Sequence, residues 1–177
     1  MIEVSIRGIS MTEAGFVVLL QSPATERVLP IAIGSGEAQA ILFELNGMEF
    51  PRPLTHDLFR HVLAELGATL VKIEVTELRD ETFFALLHLD GPAGRITVDA
   101  RPSDALALAL RCRAAIQVDE AVMAKAGVVL DPEGEPAATA AAAAADPAGE
   151  LKAKLEQAIV AERYEEAARL RDQLREL

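Results

Sequence analysis

Two short stretches of the chain each bring an arginine, a proline, a hydroxyl residue and an acid together just before a helix-periodic apolar pattern. They are residues 51–58 (PRPLTHDL) and 99–104 (DARPSD). Arg52, Arg101 and His56 place cations and a titratable imidazole at two predicted helix starts. Because a helix N-terminus beside an arginine is a natural phosphate site, we interpret these stretches as candidate phosphate-binding elements.

A purely structural interpretation of the same stretches is that they cap helices. Thr55 and Ser103 are predicted N-cap residues, and Asp57 and Asp104 then lie in the first turn, where the helix dipole favours negative charge. This interpretation accounts for the hydroxyls and the acids, but not for the arginines or the histidine.

The chemistry that these residues suggest is phosphodiester hydrolysis. His56 would be a general acid or base, and Arg52 and Arg101 would clamp a phosphate. If the two helix starts converge, three acids can hold Mg²⁺ or Mn²⁺ or orient a water molecule. These acids are Asp57, Asp99 and Asp104. Alternatively, Asp99, Arg101 and Asp104 form an ion-pair and cap network that only stabilises the fold.

A third helix start follows Gly34-Ser35-Gly36. Its backbone amides can cradle a phosphate, but the segment lacks the Lys-Ser/Thr of a P-loop, and a plain strand-to-helix turn explains it as well. Glu37, which follows directly, is either a first-turn acid favoured by the dipole or a ligand.

Three blocks of the sequence resemble the signature blocks of the bifunctional nuclease family. They are residues 29–41 (LPIAIGSGEAQAI), 51–58 and 99–111 (DARPSDALALALR), in the family's order. The resemblance covers residues 1–130 and implies DNase and RNase activity. One departure is visible: the family has a Gly-Thr-Phe-Tyr-like turn into its later hairpin, whereas here the segment is Glu81-Thr82-Phe83-Phe84.

The charge of the chain argues against a broad nucleic-acid-binding surface. The net charge is −11, and residues 1–130 alone contain 11 basic and 17 acidic residues. Any nucleic-acid contact must therefore be local or assisted by a divalent cation. The basic residues available for such contacts are Arg52, Arg60, Arg101, Arg111 and Arg113.

A cytoplasmic location is the expectation from three further features. The single Cys112 excludes an intrachain disulfide framework, the first residues do not form a signal peptide, and no apolar run is long enough to cross a bilayer.

Around these residues the periodicity predicts an α+β fold with a largely antiparallel sheet and three to four helices, in the order βββ-αα-βββ-α-β-α. Pro30 predicts an edge or an irregularity in the third strand. The predicted buried stripe of the second helix consists of Leu58, Val62, Leu63 and Leu66.

The composition changes at residue 131. Residues 131–149 are rich in Ala and Pro and predict a flexible linker after a domain at 1–130. Residues 150–177 have an apolar helical face, and the segment 151–177 resembles the UVR motif of excision-repair nuclease subunits and some protease adaptors. That resemblance implies a small α-helical hairpin that binds a protein partner. The alternative is a solvated helix packed on its own domain.

The sequence thus predicts a nuclease acting on DNA or RNA, with a divalent metal and a C-terminal interaction hairpin. The alternative is a non-catalytic regulatory module that binds an anion or a partner. An exposed sheet edge and a hairpin that needs a binding partner predict a homodimer.

Overall fold

The structure is a computed structural model, which describes residues 1–13 and 15–129. Within these residues eight strands and four helices form an α+β domain, as predicted. The elements are β1 (Ile2–Thr12), β2 (Gly15–Gln21), β3 (Arg27–Ile33), α1 (Ser35–Leu45), α2 (Thr55–Glu65), β4 (Thr69–Arg79), β5 (Thr82–Gly91), β6 (Gly94–Ala100), α3 (Pro102–Cys112), β7 (Ala115–Val118), α4 (Glu120–Ala126) and β8 (Val128–Val129). The predicted linker at 131–149 and hairpin at 150–177 lie outside the described residues.

The strands form one sheet in the order β6-β5-β4-β7-β1-β2-β3-β8. Neighbouring strands are antiparallel except for β4 and β7, which are parallel. α3 packs across β4, β5 and β7, and both α1 and α2 pack against α3. α3 is therefore the helix that both α1 and α2 contact.

The core lies between α3 and the sheet. Residues 105–109 of α3 are at most 3 % exposed, and Ile73, Val75 and Val118 in the sheet are fully buried. An alternating Ala and Leu sequence suits this position, because small residues let the helix approach its neighbours closely while leucines fill the space between them. Among the described residues, none of the helices has the length and apolar character that crossing a lipid bilayer requires.

Most predicted element boundaries are confirmed. Gly47 and Gly67 follow the ends of α1 and α2 with positive φ values of 61° and 68°, as C-terminal stops do. Pro30 lies beyond the two-residue pairing of β3 with β8, so no described strand pairs with it on that side. The one strand that was not predicted is β8, because two residues carry no periodicity.

The predicted N-caps are wrong by one or two positions. Leu54 and Arg101 occupy the N-cap positions, and neither uses its own side chain as a cap. In α2 the Asp57 carboxylate accepts the Leu54 amide instead, at 2.9 Å. In α3 Pro102 is itself the first helical residue, which its fixed φ allows, so Ser103 lies inside the helix.

The predicted buried stripe of α2 is also wrong, except for Leu63. Leu58, Val62 and Leu66 are 54 %, 46 % and 66 % exposed, whereas Leu63 is 8 % exposed. Leu63 follows His56 by seven residues and therefore lies on the same helix face. The face of α2 that is buried is thus the one that carries the polar contacts of its first turn.

Arg111 connects α1, α2 and α3 through hydrogen bonds. Its side chain is 3 % exposed, and its Nε donates to Asp57 Oδ1 in α2 at 2.6 Å. Its Nη1 donates to the carbonyl oxygens of Ala40 in α1 at 3.1 Å and of Ala107 in α3 at 2.9 Å. A buried guanidinium is tolerated only when it is paired in this way.

We expect Arg111→Met to lower the free energy of unfolding by about 3 kcal/mol, because it leaves the Asp57 carboxylate and two carbonyl groups without their donor. Urea denaturation of the full chain measures the change. The matched control is Arg7→Met, since Arg7 is exposed and, among the described residues, makes one long hydrogen bond, with Gln21. Equal stability of the two variants would show that Arg111 does not hold the helices together.

The turn between β4 and β5 contains two residues in the left-handed region. Asp80 and Glu81 have φ values of 47° and 58° between the paired residues Arg79 and Thr82. Two positive φ values in a two-residue hairpin are the pattern of a type I′ turn, which favours glycine. Glu81 stands where the Gly-Thr-Phe-Tyr-like turn implied by the family resemblance would have glycine.

Replacing Glu81 by glycine is expected to raise the free energy of unfolding by about 1 kcal/mol, because glycine adopts this conformation without a Cβ penalty. Thermal or urea denaturation checks this. Glu81→Ala removes the same carboxylate but keeps the Cβ, so a gain in Glu81→Ala equal to that in Glu81→Gly would contradict the backbone explanation.

Candidate functional site

Three helix N-termini line one open cleft of about 540 Å³. α1 contributes its first turn, α2 contributes the segment that leads into it and its first residues, and α3 contributes Arg101 and Asp104. The residues that line the cleft are Gly36, Glu37, Gln39, Ala40, Phe43, Pro53, Leu54, Thr55, His56, Arg101, Asp104 and Arg111. The two Arg-Pro helix starts, whose convergence was the condition for a shared site, line the same cleft, and the Gly34-Ser35-Gly36 helix start joins them.

Arg101 is the exposed cation of the cleft. Its Nε and Nη2 donate to the two carboxylate oxygens of Asp104 at 2.7 and 3.1 Å, and its Nη1 donates to Oε1 of Glu37 at 3.0 Å. Asp104 and then Glu37 raise the pKa of the Arg101 guanidinium. Because the side chain is 67 % exposed, the guanidinium can also meet a ligand from solvent.

Glu37 is folded back toward the start of its own helix. A Cβ at position 34 would collide with the Glu37 carboxylate, so glycine at this position gives the carboxylate room to reach Arg101. Part of the Gly34-Ser35-Gly36 pattern therefore serves the placement of an acid, and Glu37 is connected directly to the α3 start.

His56 lies against the same acid. Its Nε2 is 3.5 Å from Oδ1 of Asp104, and the imidazole is 18 % exposed. In a neutral imidazole, a carboxylate on this side favours the tautomer in which Nε2 carries the proton and Nδ1 is the acceptor. His56, Asp104 and Arg101 thus form a connected group in which one carboxylate contacts both an imidazole and a guanidinium.

Asp57 is next to this group in sequence but is fully engaged elsewhere. One carboxylate oxygen accepts the Leu54 amide and the other accepts Arg111 Nε. Burial raises the pKa of the Asp57 carboxyl, but the Leu54 amide and the Arg111 guanidinium outweigh burial and hold the pKa below its ordinary value. Asp57 is therefore a carboxylate that fixes helix positions.

Asp99 and Arg52 are not part of the connected group. Asp99 pairs with Leu86 in the register of β6 and β5, whereas the adjacent Ala85 and Leu87 belong to the core. Because side chains alternate along a strand, Asp99 lies on the sheet face opposite the helices. Arg52 is exposed in the segment before α2.

The three acids predicted to hold a metal do not form a ligand set in the described residues. Both oxygens of Asp57 and both oxygens of Asp104 accept hydrogen bonds from arginines or an amide, and Asp99 lies on another face. In the part of the chain that the structure describes, no group of three or more His, Cys, Asp or Glu residues is arranged to hold an ion. These residues do not fit a divalent metal in this arrangement.

The basic residues divide by exposure. Arg111 was predicted to be available to nucleic acid, but its burial and its three hydrogen bonds make it a structural cation. Arg60, Arg101 and Arg113 are exposed. An arginine within the apolar sequence ALALALRC was the signal for this role, because a charge on a buried helix face requires a partner.

A larger depression, of about 740 Å³, lies at β1 and the turn between β2 and β3. Its charged residues are the acids Glu3 and Glu26, and its lining includes no arginine, lysine or histidine. It therefore lacks the cation and the imidazole that acting on a phosphate ester requires, and the smaller cleft is the better candidate site.

A second polar cluster lies in the sheet. Glu74 accepts hydrogen bonds from Lys72 at 2.5 Å and pairs with His88 Nε2 at 2.7 Å, and Lys72 also donates to Gln117. Burial raises the pKa of the Glu74 carboxyl, but Lys72 and His88 together lower it below its ordinary value. Glu74 contacts both the Lys72 ammonium and the His88 imidazole, which indicates a structural network.

Two comparisons with family models identify regions of the chain. A model described as the bifunctional nuclease domain matches residues 18–131, and a model described as the UvrB/uvrC motif matches residues 148–177. The first match includes all three helix starts of the cleft.

The chain is also similar to individual proteins of known sequence. The chain is 46 % identical over 125 residues to the uncharacterized protein Rv1829 of Mycobacterium tuberculosis, a match that covers 71 % of this chain and 74 % of that protein. It is 27 % identical to bifunctional nuclease 1 of Arabidopsis thaliana, covering 89 % of this chain but only 54 % of the plant protein. It is 25 % identical to bifunctional nuclease 2 of the same plant, again covering 54 % of that protein. The chain belongs to the bifunctional nuclease domain family and carries a C-terminal UvrB/uvrC motif.

Proposed function

We propose that the chain hydrolyses phosphodiester bonds of DNA or RNA in the cleft formed by the three helix starts. The observation that carries the proposal is the contact of one carboxylate, Asp104, with both the His56 imidazole and the Arg101 guanidinium. The family membership supports it, since plant relatives carry the name bifunctional nuclease.

Each residue has a role that its contacts allow. Arg101 and the backbone amides of the helix starts bind the phosphate, because both present positive charge to the same cleft. His56 takes a proton from the attacking water while the water oxygen bonds to phosphorus and the bond to the leaving oxygen breaks, and the leaving oxygen takes up a proton from solvent water. Asp104 orients the imidazole, and Asp57 with Arg111 positions the first turn of α2.

No step of this proposal uses a metal. The requirement for Mg²⁺ or Mn²⁺ that the sequence predicted stays a prediction, which an assay with and without EDTA addresses. The roles predicted for Asp99 and Arg52 gain no support from their contacts and also stay predictions. The same holds for a cytoplasmic location and for a protein partner bound through residues 151–177.

His56→Ala is expected to lower nuclease activity of the full chain at least 100-fold, because it removes the proton acceptor. Asp104→Asn is expected to lower activity by about tenfold or more, because the amide no longer orients the imidazole as a carboxylate does. The assay follows cleavage of single-stranded DNA, duplex DNA and RNA, each with Mg²⁺, Mn²⁺ or EDTA.

The matched control is His61→Ala. His61 is an exposed histidine on the same helix and does not line the cleft. Full activity in His61→Ala with loss in the other two variants supports the site. Undiminished cleavage by folded His56→Ala and Asp104→Asn would mean that the activity belongs to another site or to a contaminant.

Opposite effects are expected from the two residues that flank the phosphate position. Arg101→Ala should weaken binding of a single-stranded oligonucleotide about tenfold, because a charge-assisted donor is lost. Glu37→Gln should strengthen binding a few-fold, because the substrate phosphate no longer competes with the Glu37 carboxylate for Arg101. Fluorescence anisotropy with a labelled oligonucleotide in EDTA measures both dissociation constants.

The direction of the Glu37→Gln effect is the sharper part of this test. A merely structural Glu37 would leave oligonucleotide affinity unchanged or lower it. Weaker binding by Glu37→Gln at unchanged stability would therefore contradict the placement of the phosphate at Arg101.

A non-catalytic anion-binding module is the second candidate function. It is favoured by the pairing of all three Arg101 nitrogens with Asp104 or Glu37, because such an ion-pair network can hold an anion-binding arginine in place without any catalytic group. Oligonucleotide binding that depends on Arg101, without cleavage under any metal condition, would select this function.

A further inference from the structure

The edge strand β6 is open to a partner. Among the described residues no strand pairs with its outer side, and its register with β5 runs without a bulge from Ala100 to Gly94. It spans seven residues, GRITVDA, with no proline and no lysine to block pairing. The opposite edge of the sheet is β8, which has two described residues, and the part of β3 beyond it contains Pro30, which has no amide proton to donate. β6 is therefore the edge on which another strand can add.

The side chains of β6 that face the helices are apolar and exposed. Ile96 and Val98 are 47 % and 40 % exposed, and they pair with the buried residues Leu89 and Leu87 of β5. Two apolar residues on the helix face of an unpaired edge gain burial when a strand adds beside them.

A further exposed apolar surface adjoins this edge. The Ala68 Cβ and the Ile96 Cδ1 both lie against Gly91, at 3.8 and 3.9 Å from where a Cβ would stand. Ala68 follows the end of α2, whose residues Val62 and Leu66 are 46 % and 66 % exposed. The exposed face of α2 thus ends beside the helix face of β6.

We propose that β6 pairs with β6 of a second copy of this chain, antiparallel about a two-fold axis at Thr97. This pairing places Arg95 opposite Asp99 of the partner subunit and Ile96 opposite Val98 of the partner subunit. Each opposition occurs twice because the axis relates the two strands. The strand sequence is therefore complementary to itself in both charge and hydrophobicity.

The charges of β6 are available for this pairing. Asp99 makes no hydrogen bond or ion pair with the described residues, and Arg95 pairs only with the exposed Asp90, at 3.0 Å. The two charges lie on the sheet face opposite the helices, where a cross-strand ion pair between copies can form.

The charges also select the register. Paired strands keep their side chains on matching faces, so the axis can move only by whole residues, and its nearest alternative positions are Ile96 and Val98. An axis at Ile96 opposes Arg95 to Thr97 of the partner subunit. An axis at Val98 opposes Arg95 to Arg101 of the partner subunit, which places like charges together. Only the axis at Thr97 joins opposite charges.

Charge reversal tests the pairing in the full chain. Arg95→Asp and Asp99→Arg each replace two attractions per dimer by two repulsions, and each is expected to weaken dimerisation at least tenfold. The double variant, Arg95→Asp with Asp99→Arg, restores opposite charges in the same register and is expected to return to within about threefold of the unsubstituted chain. Sedimentation equilibrium at low ionic strength measures the dissociation constants, and far-UV circular dichroism checks that every variant is folded.

Hydrogen exchange gives a second, independent readout. Amide protection of a peptide that covers residues 94–100 should rise with protein concentration in the unsubstituted chain and in the double variant, but not in the single variants. This readout separates β6 pairing from dimerisation through the C-terminal motif, which would leave residues 94–100 unaffected.

Three results would overturn the proposal. One is a monomer at concentrations up to about 100 μM, which corresponds to an association too weak for a specific interface. Another is a dimer whose stability is unchanged by either single reversal. The last is a double variant that dimerises no better than the single variants. Neither the proposal nor these outcomes depend on nuclease activity.

Discussion

The buried guanidinium of Arg111 is the interaction on which the candidate site depends. It contacts a carbonyl of α1, the Asp57 carboxylate of α2 and a carbonyl of its own helix, α3. The other polar contacts between these helices, Glu37 with Arg101 and His56 with Asp104, lie at the helix starts, and apolar surfaces alone fix distance but not the rotation of each helix. A charge with directed hydrogen bonds fixes that rotation, and the first turns of the helices then face one cleft. Because Arg111 holds the face of α2 that carries Asp57 against α3, the other face, with Leu58, Val62 and Leu66, is exposed.

The cleft combines positive helix ends with two acids, Glu37 and Asp104, and two arginines, Arg101 and Arg111. Asp104 contacts both His56 and Arg101, and Glu37 accepts a hydrogen bond from Nη1 of Arg101. Such an arrangement keeps Arg101 in place without a ligand, and a phosphate then competes with carboxylates for it. This local placement of cations agrees with the acidic net charge of −11, since binding here does not rely on a broad basic surface.

The strands and the helix ends were predictable from periodicity and turn residues, because these signals are local. The convergence of the two Arg-Pro helix starts was only a condition for a shared site, because it depends on packing between distant parts of the chain. The exposed face of α2 was not predictable, because Leu58, Val62 and Leu66 have the spacing of a buried stripe and only the anchoring of the first turn shows otherwise. Asp99 was grouped with Asp104 from its nearness in sequence, whereas strand alternation puts it on the other sheet face. The partner of Arg111 is 54 residues away in the chain, so no local pattern identifies it.

The most direct test of the account is a crystal structure of the full chain with a non-hydrolysable dinucleotide phosphorothioate. The account predicts the central phosphate within hydrogen-bonding distance of the Arg101 guanidinium, with the His56 imidazole beside the phosphorus and Arg111 still bound to Asp57. A dinucleotide bound outside this cleft, or bound with its phosphate away from both Arg101 and His56, would contradict it.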